Sequence, residues 1–327
     1  MRPETIKKTE DEFFKNLTGS AGGNYTLKAT TDIGNGFKIY SIRRNYDSYY
    51  YKTKTTKKSI CLHFTVGNIK SDAATLTKQN DHVSVPYLVD RSGRIYELFP
   101  DSEWSYHLGK YAVGGNEDMS KLSIGIEISN YGPLKLSGQN LLDDYGEVYC
   151  KVSEEEFYTK QPYRTRDYYA SMTDAQIDAV VALIKYLGKK HDIPMNFKSD
   201  DEVFASAEEA TSFRGVFYHS NVRKDKFDWP FTPSLKAVIA KCTNEQPSKV
   251  ETQQDATMTE TPVEPTKVDV LAPELDEPEQ KPETPKVESP APATENVSST
   301  KPKSLLELIL SFLAQLFGFR KKWCRTR

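Results

Sequence analysis

At 327 residues, with 37% hydrophobic content including 15 Phe and 19 Tyr, the chain can bury a real core in one large domain or two small ones. A net charge of −2 gives no electrostatic argument for nucleic acid, and none is expected as a partner. Four scattered cysteines (Cys61, Cys150, Cys242, Cys324), with no CxxC, exclude a disulfide framework and a Cys-rich zinc site.

The N-terminal stretch MRPETIKKTEDEFFKNL has no apolar h-region and does not read as a secretory signal. Residues 1–35, polar and with Gly19, Gly22 and Gly23 close together, read as an arm outside the main domain. From Phe37 the pattern tightens: 36–44 and 59–67 read as strands, and 71–82 as a short helix or loop. In VSVPYLVDRSGRIYELF (83–99) Val85, Tyr87 and Val89 share one face and Arg91-Ser92-Gly93 makes the corner, which is the pattern of a hairpin. Leu122 to Ile128 is an almost continuous apolar run, as a strand buried on both faces would be. Glu127 interrupts it, and a carboxylate there is costly unless it is paired or used.

Residues 133–170, rich in Tyr, Asp and Glu with weak periodicity, read as an insertion. The clearest helix is 172–194: Thr173 and Gln176 make a capping box, Ile177, Val180, Val181, Ile184 and Leu187 form an apolar stripe, and Pro194 follows its end. A short helix from Ser234 to Cys242 closes the globular part, which is expected over 36–242.

Beyond it, 243–303 has no aromatic residue, 10 of the 18 prolines, and 13 acids against 6 lysines, so a disordered acidic spacer is expected. SLLELILSFLAQLFGF (304–319) then carries a narrow polar stripe, Glu307, Ser311, Gln315 and Gly318, and ends in RKKWCRTR. It falls short of the roughly 20 residues that span a bilayer. The segment 304–327 therefore reads as an amphipathic helix with a basic end, for a membrane surface or for self-association.

Of the five histidines, His82 and His191 lie in polar surroundings and read as surface residues. His63 ends an apolar run, His107 lies in the loop WSYHLG, and His219 begins a polar turn. Two histidines and an acid shortly after the second could hold a metal with one position open for water. By spacing alone this is a weak signal, because two distant histidines in a chain of this size are more often unrelated.

Six segments in order resemble the zinc-dependent N-acetylmuramoyl-L-alanine amidases of the type-2 class, within the peptidoglycan-recognition-protein superfamily. They are LHFT (62–65), VSVPYLVDRSGRIYEL (83–98), WSYHLG (104–109), SIGIE (123–127), TDAQ (173–176) and HSNVRKDKFD (219–228). The resemblance implies an α/β fold with a central mixed sheet flanked by helices, and a substrate, peptidoglycan, cut between muramic acid and L-alanine. It implies Zn2+ on His63, His219 and Asp228, Glu127 as general base for the attacking water, and Lys226 as the cation stabilising the oxyanion. It also implies that His107, Trp104 and Tyr87 bind substrate, although for the aromatics of the WSYHLG loop, Trp104 and Tyr106, a place in the core is the default reading. The sequence departs from the family pattern at Pro86, where many relatives have His, and at Asp228-Trp229-Pro230, which replaces the usual Asp-Pro-Gly. Asp225 is therefore a competing third ligand, and the donor set suits other divalent ions too.

A binding module of the same fold would have lost a metal ligand, and a cytoplasmic muropeptide-recycling amidase would not need the acidic spacer. The tail and the missing signal point instead to an enzyme made in the cytoplasm that acts on the cell wall after release, as a phage endolysin does.

Overall fold

The apolar runs at 59–64 and 123–128 pair as neighbouring parallel strands, and the rest of the chain is laid out around them. The computed structural model describes residues 2–19, 23–198, 202–228 and 232–243. In chain order the elements are α1 (Pro3–Thr18), β1 (Thr26–Gly34), β2 (Phe37–Arg43), β3 (Ser59–Phe64), α2 (Ile69–Leu76), β4 (Tyr87–Val89) and β5 (Ile95–Glu97). Then follow α3 (Asn116–Leu122), β6 (Ser123–Ile128), β7 (Pro133–Ser137), β8 (Asn140–Leu142), β9 (Val148–Lys151), β10 (Tyr158–Tyr163) and β11 (Arg166–Ala170). The last are α4 (Asp174–His191), α5 (Ala207–Ser212), β12 (Gly215–Tyr218), α6 (His219–Val222) and α7 (Pro233–Thr243).

Seven strands form a mixed sheet in the order β1-β2-β5-β4-β6-β3-β12, the α/β architecture expected. β6 runs parallel to β3 and β4, and β3 parallel to β12, while β1–β2 and β4–β5 are antiparallel. Because side chains alternate across a strand, each central strand feeds two different cores. Ile60, Leu62, Ile124, Ile126, Val216 and Tyr218 pack on one face beneath α4 and α7. The apolar stripe of α4 is buried there, each such side chain contributing about 1.5–3 kcal/mol. On the other face Leu88, Tyr96 and Ile42 pack with α1 and α2 at one end. Cys61 and Phe217 pack with α3 and α5 at the other. His63 and Glu127 lie on this second face, between the two clusters.

Residues 1–35 are not an arm. α1 buries Ile6 and Leu17, and β1 is the edge strand of the sheet. The Glu10 carboxylate, fully buried, accepts hydrogen bonds from Arg91 N (2.8 Å), Ser92 N (3.1 Å) and Ser92 Oγ (2.8 Å). Glu10 thus fastens α1 to the hairpin corner. The corner itself requires Gly93: its φ is +80°, and a Cβ there would lie 2.6 Å from Ala175 O.

The insertion at 133–170 is a second sheet, in the order β10-β11-β7-β8-β9, around a small core of Leu134, Leu141, Tyr149 and Cys150. Its strands are short and bury only a minority of their side chains, without regular alternation, which is why periodicity did not reveal them. The expected capping box at α4 forms by half. Thr173 Oγ1 accepts from Gln176 N at 3.1 Å, but the buried Gln176 side chain turns away and donates to Ser129 O (3.0 Å) and Val89 O (3.4 Å).

Asp72 of α2 is buried at the end of β6, accepting from Ser129 Oγ (2.6 Å) and Thr65 Oγ1 (2.8 Å). Burial pushes its carboxyl up from 3.8 to about 7, assisted by the charge of Glu10 and opposed by hydrogen bonds from Ser129, Thr65 and Ser71. A carboxyl whose folded pKa stands above its unfolded value takes up a proton on folding between the two. Its contribution to stability is therefore full below about pH 4 and is lost as pH rises to about 7. Melting temperatures across pH 4–8 are expected to decline less steeply in Asp72→Asn than in the wild type, and equal slopes would exclude Asp72 as the source.

No helix among the described residues is long and apolar enough to cross a membrane. The acidic spacer expected over 243–303, apart from Thr243 at the end of α7, and the amphipathic helix expected over 304–327 lie outside the described residues.

Candidate active site

Parallel pairing brings the site together. His63 and Glu127 are partners in the β3–β6 ladder, so both side chains leave the sheet on one face. The β3–β12 ladder ends at Leu62↔Tyr218, and His219 follows one position on, next to His63. The turn after α6 is closed by a bond from Ser220 N to Asp228 O (2.7 Å), which returns Asp228 to the two histidines.

Three acceptor atoms converge. His63 Nδ1 lies 2.9 Å from His219 Nδ1 and 3.7 Å from Asp228 Oδ2, and His219 Nδ1 is 3.4 Å from Asp228 Oδ2. His219 gives its single neutral-state proton, at Nε2, to Leu108 O (3.0 Å), which leaves Nδ1 bare. His63 Nε2 is engaged by His107 Nδ1 at 3.0 Å, so its Nδ1 is the atom turned to the site. Lone pairs this close repel unless a cation lies among them. A tetrahedral ion with bonds of about 2.0–2.1 Å sets its ligand atoms about 3.3 Å apart, close to the spacing found.

The electrostatics suit that set. Burial first of all holds His63 well below the ordinary range, and burial with the charge of Lys226 lowers His219, which favours the neutral form of both imidazoles. Burial pushes Asp228 up, but its cationic surroundings, His219 when protonated and Lys226, outweigh it, and the net direction is down. Neutral imidazoles and an ionised carboxylate are the forms that bind metal. Cys61, His63 and His107 also have ligand atoms within 4.8 Å of one another. Burial raises the Cys61 thiol well above its ordinary value, however, and metal needs the thiolate. The donors of His63, His219 and Asp228 fit a metal better.

Asp225 does not compete in this arrangement. It is largely exposed and paired with the Arg223 guanidinium, Nε to Oδ1 at 2.9 Å, while Asp228 is 6% exposed. Glu127 is half-buried, with Oε2 enclosed and without a hydrogen-bond partner among the described residues. Burial, together with the charges of Asp228 and Asp72, raises its carboxyl well above the ordinary range, against the pull of Lys226. Lys226 is 5% exposed, and burial lowers its ammonium although Asp228 opposes the shift.

Residues 53–228, more than half of the chain, match the family model described as N-acetylmuramoyl-L-alanine amidase. The chain belongs to this family. Among curated proteins it is similar to the N-acetylmuramoyl-L-alanine amidase AmiD of Escherichia coli (strain K12), 35% identical over 86 residues, which is 25% of this chain and 31% of that protein. It therefore spans about a third of that relative's length. Among solved structures, a complex of AmiD from E. coli with anhydro-N-acetylmuramic acid-L-Ala-D-gamma-Glu-L-Lys has 21% identity and a TM-score of 0.36, covering 64% of this chain and 65% of that one. The amidase LysC from Clostridium intestinale URNW has 15% identity and a TM-score of 0.33, covering 62% of this chain and 97% of that one. Overlaps this low carry no argument, and the assignment rests on the family match.

Three residues expected to bind substrate in an amidase of this family are placed otherwise. Tyr87 faces the α4 core, since its neighbour Leu88 is the residue that pairs with Glu127. Its hydroxyl donates to Asp101 Oδ2 (2.8 Å), which also receives Lys190 Nζ (2.8 Å), and His191 Nε2 lies 3.3 Å from Asp101 Oδ1. Trp104 is buried and stacked on Tyr51 at 4.3 Å, and Tyr51 stacks in turn on His82. His107 is enclosed behind His63. Sequence reasoning passed over Ser123 and Gly125, although a period of two places both on the face of Glu127.

Proposed function

We propose that this chain hydrolyses the amide bond between N-acetylmuramic acid and L-alanine in peptidoglycan, using a zinc ion held by His63, His219 and Asp228. The observation that carries the reading is the convergence of two bare imidazole nitrogens and a carboxylate oxygen within 3.7 Å, beside Glu127, whose enclosed Oε2 has no hydrogen-bond partner among the described residues. When bound, such an ion supplies Lewis-acid chemistry, polarising the carbonyl and making water more acidic.

The chain's own residues do the rest. Glu127 takes a proton from the attacking water and passes it to the alanine nitrogen as the C–N bond breaks. The Lys226 ammonium stabilises the charge that develops on the carbonyl oxygen more than it stabilises the ground state. The sheet face between the two satellite cores leaves these groups on one side of the fold.

The proposal extends to place: the enzyme meets the wall after release from the cytoplasm, and the tail engages a membrane surface or a second copy. The acidic spacer and basic amphipathic end of the sequence support this. Digestion of purified peptidoglycan is expected to release new N-terminal alanine without new reducing sugar ends. Reducing ends without alanine would contradict the amide assignment.

A further inference from the structure

His107 resembles a groove residue in sequence, yet its ring is 5% exposed and both of its nitrogens are used inside the protein. The chain of hydrogen bonds through it has a direction. Ser123 Oγ donates to Met119 O at 2.6 Å, and a carbonyl can only accept. Ser123 Oγ therefore accepts from His107 Nε2–H at 3.1 Å. A neutral imidazole has one proton, so His107 Nδ1 is an acceptor, and it takes the proton of His63 Nε2 at 3.0 Å. His63 is left with a bare Nδ1 facing His219 and Asp228. The Met119 carbonyl, three hydrogen bonds away, thus decides which nitrogen of His63 is presented.

The packing is specific to this arrangement. A Cβ at Gly125 would lie 2.5 Å from Val85 Cγ1 and 3.2 Å from His107 Nδ1, so the glycine leaves Val85 and the imidazole their close approach to the strand. The backbone of the loop is held as well, with His107 N donating to Ser120 Oγ at 3.3 Å.

We propose that His107 and Ser123 form a positioning relay that fixes the tautomer and orientation of His63 for metal binding, and that His107 does not contact substrate. This rests on the metal reading of the preceding subsection. Metal-bound histidines whose other ring nitrogen is held by a partner lose about 10–100-fold in affinity or activity when that partner is removed.

The test uses the full chain as wild type, His107→Leu, His107→Asn and Ser123→Ala. It reads Zn2+ affinity by competition with a chromophoric chelator, melting temperature without metal, and KM and kcat at saturating zinc. His107→Leu is expected to bind zinc about 10–100-fold more weakly. His107→Asn, whose Oδ1 can accept the same proton, should recover most of that loss. Ser123→Ala should weaken zinc by a smaller factor, and KM should stay near wild type throughout. Unchanged zinc affinity with a raised KM in His107→Leu would overturn the relay and restore the groove role. Equal losses in the leucine and asparagine variants would overturn it too, because packing rather than an acceptor would then matter. If His107→Leu does not fold, Ser123→Ala decides, and wild-type zinc affinity in it contradicts the relay. Weakened zinc binding in the variants, with no alanine release from the wild type, would uphold the relay while removing the amidase reading.

Discussion

Glu127→Gln is expected to lower the rate of amide hydrolysis by about 10²–10⁴-fold while leaving zinc content and melting temperature close to wild type. Glutamine keeps the volume on the β6 strand and removes the proton acceptor. The strand has no other acid, and Glu127 is the ladder partner of His63. Its enclosed Oε2 has no hydrogen-bond partner among the described residues, so the variant should not break a structural network. Steady-state rates on soluble muropeptides, beside zinc content of the same protein, check this. Undiminished activity would move the base elsewhere.

Asp228→Ala should have an effect of similar size by a different route. Removing the carboxylate leaves two neutral imidazoles, and zinc affinity should fall by more than about 100-fold, beyond the loss of an outer partner. In the wild type, zinc at about 100 times its Kd should stabilise the fold by about 2.7 kcal/mol. That gain should be absent from Asp228→Ala and preserved in Asp225→Asn, whose carboxylate faces Arg223 rather than the histidines. Thermal melts with and without zinc distinguish the two. Loss of the zinc shift in Asp225→Asn instead would reverse the assignment of the third donor.

Much of this site was legible in the sequence, because strand ends and short turns fix their residues within narrow limits. Once β3, β6 and β12 pair in parallel, His63, Glu127 and His219 must come together, and the turn from Ser220 to Asp228 is too short to send its acid far. The errors share another origin. Alternation in the 83–99 hairpin separates Tyr87 from Leu88 but does not say which face carries His63 and Glu127, and the sheet register assigns that face to Leu88. The polar stretch 1–35 gave no sign that Glu10 is buried, because its partners, the backbone of Arg91 and Ser92, are remote in sequence. The second sheet escaped for a related reason: its strands bury few side chains, so they leave little periodic signal. Trp104 and His107 sit in a recognisable loop, yet only the three-dimensional arrangement shows one in an aromatic stack and the other behind His63.

The central claim is that His63, His219 and Asp228 hold a metal that this chain uses to cut the muramoyl–alanine amide. The most direct measurement determines bound zinc and release of N-terminal alanine from peptidoglycan on one preparation, before and after chelator dialysis and again after zinc is returned. The account predicts near-stoichiometric zinc, alanine release that disappears with the metal, and recovery when it is restored. Alanine release at full rate from the zinc-free protein, or no zinc binding at all, would contradict it.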